Sequence, residues 1–136
     1  MVRRVATIVL ALLGQPAAAQ TPKVIYLSCD GTKQQDPADT RVQVTKLGLV
    51  INLAEQTVVG FGIAAHIDLL DASSIEFSGE GPIVDRGSKI GTISALGAID
   101  RVTGIVSATT TMSERSQKTV TGTSYYLVCK VADRPL

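Results

Sequence analysis

The chain has 136 residues, 45% of them hydrophobic and 18% charged, with a formal net charge of +1. That length suits one domain able to bury a core of its own, and a near-balanced charge with no basic run argues against nucleic-acid binding and polybasic membrane attachment. Aromatic residues make up 4% and tryptophan is absent, so the core is expected to be built from Val, Ile and Leu, which suits strands.

The first element is not structural. Met1 is followed by Arg3 and Arg4, the apolar run Val5 to Leu13, the breaker Gly14-Gln15-Pro16 and then Ala17-Ala18-Ala19. A charged start, a short apolar stretch and an A-x-A site form the pattern of a secretory signal peptide. The run is too short for a bilayer span, which takes about 20 residues. Residues 1–19 are therefore expected to be cleaved, leaving residues 20–136 as a single β domain with no transmembrane span. Loss of Arg3 and Arg4 leaves 11 basic residues against 12 acidic, a formal charge of −1. The Arg-first, Ala-ending leader is bacterial in style, so the expected location is periplasmic or secreted. Tyr26 stands where a lipoprotein leader has leucine, three residues before the cysteine, so Cys29 is not expected to carry a lipid.

Two cysteines in an oxidising compartment predict one disulfide, Cys29–Cys129. Ile25, Leu27 and Cys29 share one strand parity, as do Tyr125, Leu127 and Cys129, so each thiol points with apolar neighbours toward a core. The first and last strands are thereby expected to lie side by side.

Between them the period is close to two. Val42 and Val44 alternate with polar residues, and Leu47, Leu49, Ile51 and Leu53 follow on one parity. "AEQT" predicts a turn into Val59 and Phe61. Ile63, Ala65, Ile67 and Leu69 alternate next, "LDASS" turns, and Ile75 and Phe77 begin another strand. "SGEGPIVDRGSK" is the longest turn-rich stretch and is expected to be a loop. Ile90 to Ile99, Ile105 to Met112 and Thr119 to Val131 read as three further strands, separated by "DRVTG" and "SERSQK". The expected fold is all-β: a single antiparallel meander of about eight strands, closed as a small barrel or stacked as a sandwich.

Candidate sites are few. His66 shares strand parity with Asp68, the arrangement of an oriented base, but exposed i and i+2 neighbours on a strand are ordinary and no nucleophile accompanies them. Gly87-Ser88-Lys89 is out of order for a phosphate-binding loop. Two cysteines and one histidine do not make a zinc site, and the hydroxyl-rich run from Ser107 to Ser124 suits a wet strand face. Asp68, Asp71, Glu76, Glu80 and Asp85 are scattered through turns and outward positions. No catalytic, metal or cofactor site is expected. In "GAIDRVTGIV", Asp100 can cap a turn, Gly104 can take positive φ, and Arg101 can pair with Asp100 or meet an anionic partner. Asp85, Arg86 and Lys89 in the first glycine-rich stretch, with Asp100 and Arg101, are the candidate partner-binding loops.

The "Y-x-L-x-C" opening, "I-x-F-S-G", "G-x-I-D-R-V-T-G" and the "Y-x-L-x-C-K" close resemble a group of small, uncharacterised exported proteobacterial proteins. The resemblance spans most of residues 20–136 in short motifs and carries no activity across. A weaker similarity is to the periplasmic inhibitors of c-type lysozyme, small barrels with a terminal-strand disulfide. This chain lacks their Tyr-, Ser- and Lys-rich loop around "Y-x-x-G". The expected function is that of a non-enzymatic envelope protein that binds an exported or envelope partner, with inhibition of an exported hydrolase as the alternative.

Overall fold

A computed structural model describes residues 23–36, 40–116 and 120–132; the expected signal peptide lies outside them. Eight strands are formed: β1 (Val24–Gln35), β2 (Arg41–Asn52), β3 (Thr57–Val59), β4 (Ala64–Leu70), β5 (Ser74–Asp85), β6 (Ser88–Asp100), β7 (Ile105–Glu114) and β8 (Val120–Ala132). There is no helix among the described residues. Each strand pairs antiparallel with its sequence neighbours, and β8 returns to pair with β1, so the sheet is a closed up-and-down barrel. Closure joins the first and last strands, although β3 pairs with β2 only over Val50–Asn52 and β4 pairs with β5 only as far as Ser78.

Alternation decides what is inside. Leu27 and Cys29 of β1, Leu49 and Ile51 of β2, Ile75 and Phe77 of β5, Val106 and Ala108 of β7, and Leu127 and Cys129 of β8 are all buried. The residues between them are hydroxyl-bearing or charged at many positions: Asp30, Glu76, Ser107, Thr109 and Ser124 lie on the outer face. The outer wall is mixed, since Leu96, Tyr126 and Val128 are exposed beside these polar residues.

The expected all-aliphatic core is only part of the outcome. Phe61, Phe77 and Tyr125 meet at its centre, with ring centroids 5.9 Å apart for Phe61–Phe77 and 5.1 Å for Phe61–Tyr125. Few aromatics are present, and the barrel gathers three of them in one place.

Three irregularities shape the wall. Cys29 pairs with Leu47 but Gly31 with Val44, so Thr45 and Lys46 together oppose Asp30. Lys46 takes a φ of 54° there, and its N–H donates to the Asp30 carboxylate at 3.0 Å. This bulge shifts the inward parity within one strand, which is why Val44 and then Leu47, Leu49 and Ile51 all face the core. Asp68 is the extra residue on β4 between Ile67 and Leu69, and Ile90 that on β6 opposite Ile83 and Val84.

The expected loop "SGEGPIVDRGSK" is instead mostly strand. β5 runs through it to Asp85, and only Arg86 and Gly87 turn, with φ of 51° and 81°. Positive φ at both central residues is the two-residue hairpin turn whose twist matches its strands. Of the glycines that suggested a loop, Gly79 and Gly81 lie on strand positions of β5 and only Gly87 is in the turn.

Candidate functional site

In an up-and-down barrel, successive hairpins alternate between poles. The β2–β3, β4–β5 and β6–β7 turns share one pole with Lys23 and Ala132; the β5–β6 turn lies at the other. The two sequence-selected clusters are therefore separated: Asp85, Arg86 and Lys89 stand at the far pole, Asp100 and Arg101 at the terminal pole. They do not form one surface.

At the far pole, β4 pairs with β5 no further than Ser78, and β7 pairs with β6 no further than Gly91. Val84 to Lys89 therefore project as a short two-stranded tip, with Val84, Asp85, Arg86 and Lys89 all exposed.

The terminal pole is more elaborate. Asp71 opens the β4–β5 turn, its carboxylate accepting the N–H groups of Ser73 at 2.9 Å and Ser74 at 2.8 Å. The Ser73 backbone hydrogen bond, with that residue's hydroxyl next, holds the Asp71 carboxyl below the usual aspartate range. Asp100 does the same for the β6–β7 turn, accepting from Val102 at 2.9 Å and Thr103 at 3.1 Å, and the Thr103 bond foremost lowers its pKa. Arg101 joins the two turns. Its N–H donates to the Ser73 carbonyl at 2.9 Å, and its guanidinium donates to the Asp71 carbonyl at 2.6 Å. The sequence placed Asp100 as a cap and Gly104 at positive φ, and both hold, with φ at Gly104 of 80°. It did not find the partner of Arg101, which is Asp71, 30 residues away, rather than Asp100.

Beside this clamped turn lies a pit of about 380 Å³. Its floor is Ile51, Ile75 and Ile99, each at most 4% exposed. Its sides are Ile25, Val102 and Val131, and the last two are 79% and 72% exposed. Arg101 and Lys130 stand at its rim, and Cys129 of the disulfide contributes to its wall. No sequence signal pointed to the pit, because its members come from five strands and a turn.

A wider depression of about 470 Å³ crosses the outer wall between Asp68 and Ser124. Asp68 accepts the Ser78 hydroxyl there, while His66 lies exposed on β4. Among the described residues no group of three or more His, Cys, Asp or Glu could hold a metal.

The disulfide is present, closing the β1–β8 seam, and suits an oxidising compartment. No helix among the described residues is long and apolar enough to cross a membrane. Comparison with protein-family models, with curated proteins and with solved structures gave no match.

Proposed function

We propose that this chain is an exported, non-enzymatic binding protein of the periplasm or the medium, and that its ligand seats in the pit at the terminal pole. The observation that carries the reading is the pit itself: an aliphatic concavity of about 380 Å³ beside a turn capped by Asp100 and tied through Arg101 to the Asp71 turn. Small-ligand sites have this character, concave and apolar with a few placed polar groups, and eight-stranded barrels are wide enough to seat one small ligand. The test is thermal unfolding of the oxidised protein with a panel of small apolar probes. A ligand that binds only the folded state raises Tm, and the rise grows with the logarithm of its concentration relative to Kd. A rise of several degrees in the wild type, absent in Val131→Trp, supports the seat; no rise with any probe removes it.

The tip from Val84 to Lys89 favours a second reading, inhibition of an exported hydrolase. A hairpin tip that extends past the neighbouring strands and carries Arg86 at its turn has the shape to enter a cleft. Lysozyme assays with the wild type and Arg86→Glu decide it: inhibition weakened by the substitution supports it, and no inhibition by either protein discards it.

A further inference from the structure

We infer that the pit receives an anionic aliphatic amphiphile, a single alkyl chain ending in a carboxylate, an inference that rests on the pit being the ligand seat. The wall chemistry selects the chain. Apart from Cys129 of the disulfide and Thr103 of the turn, the side chains of the floor and sides are branched aliphatics, while the aromatic trio of Phe61, Phe77 and Tyr125 lies elsewhere in the core. Val102 and Val131 leave most of their surface in water, and an alkyl chain laid between them over the isoleucine floor removes that surface from solvent.

The rim selects the head group. Among the described residues Arg101 and Lys130 line the pit with one carboxylate, Asp100, which accepts the Val102 and Thr103 amides of its own turn and keeps its charge, so the lining cations outnumber it two to one. Asp71 and Glu55 stand at the same pole without lining the pit, and the Asp71 carboxylate is taken by Ser73 and Ser74. Arg101 is held in place by the Asp71 carbonyl, and the Asp71 carboxylate attracts the same guanidinium. An anion at the mouth meets one fixed cation and one on a flexible stem.

Calorimetric titration of the oxidised protein tests this with octanoate, decanoate and dodecanoate as monomers, with decanol and decyltrimethylammonium as head-group controls, and with anionic phospholipid vesicles. The expected affinity rises about fourfold per methylene until the pit is full, the gain for burying one CH₂. Decanoate is expected to bind at least tenfold tighter than decanol, and the quaternary amine more weakly than either. Lys130→Gln, an exposed position, should weaken decanoate several-fold and leave decanol unchanged. Equal affinity for all three head groups overturns the anionic assignment and leaves the apolar seat standing. Vesicle binding without monomer binding overturns it in favour of a membrane-facing patch. Failure of every probe overturns the seat as well.

Discussion

Cys29 and Cys129 face each other directly across the β1–β8 seam, their Cα atoms 4.0 Å apart and both side chains in the core. The Cys129 N–H is given to Gly104 on the other side, at 2.8 Å, so this is a non-hydrogen-bonded pair, the closer of the two kinds in an antiparallel ladder. The bond covers a sequence separation of 100 residues. Replacing both cysteines by alanine is expected to cost about 2–5 kcal/mol while leaving a folded barrel, because the ladder and the apolar interior remain. Urea unfolding of the two forms gives the difference, and an unchanged midpoint would show the seam to be held by the ladder alone.

Two glycines with the same backbone conformation should respond differently to alanine. Gly87 and Gly104 have φ of 81° and 80°. Nothing lies within 4 Å of a Cβ added at Gly87, whereas one added at Gly104 collides with the Cys129 carbonyl. Gly87→Ala therefore meets only the left-handed backbone cost, about 1 kcal/mol. Gly104→Ala adds a steric clash at a hydrogen-bonded point between the start of β7 and β8 and is expected to cost at least twice as much. Equal losses in denaturant midpoint would refute the crowding of Gly104.

The two aspartate caps predict an acid dependence with a definite sign. Asp71 and Asp100 both have pKa values held below the ordinary 3.8. A depressed folded pKa contributes stability that is complete above the unfolded value and is lost as pH falls through the folded one. The wild-type Tm should thus decline below about pH 4. In Asp71→Asn/Asp100→Asn the Tm should start lower at pH 6 and follow a flatter course to pH 2. Parallel profiles would mean that neither cap is linked to folding.

The inside and outside of the wall can be told apart with two aromatic residues. Phe77 is fully buried against Phe61, while Tyr126 is 55% exposed on the outer face. Phe77→Ala should cost about 3–5 kcal/mol; Tyr126→Ala should change stability by no more than about 0.5 kcal/mol. A reversal of that order in equilibrium unfolding would contradict the register of β5 or β8.

Much of this was legible in the residues because strand parity is a local property. Alternation from Ile25 to Cys29 and from Tyr125 to Cys129 gave the faces, the single pair of cysteines gave the disulfide, and "DRVTG" gave a turn whose cap is Asp100. The change of parity between Val44 and Leu47 was visible too, but only pairing with Asp30 turns it into a bulge within one strand rather than a break between two. "SGEGPIVDRGSK" misled because glycine and proline signal turns on average, while here Gly79, Gly81 and Pro82 occupy strand positions and the turn needs only Arg86 and Gly87. The pit and the Arg101–Asp71 link could not be read at all. Their members are brought together by closure of the sheet, and no spacing along the chain encodes that.

The covalent seam makes the order in which the strands are threaded partly dispensable. With Lys23 and Ala132 leaving the same pole, a short peptide could splice them, and new ends could be cut at Arg86–Gly87, where no neighbouring strand is attached. Such a permutant would free the pit's surroundings of both chain ends, so that tags or surface tethers placed at the far tip no longer crowd the mouth.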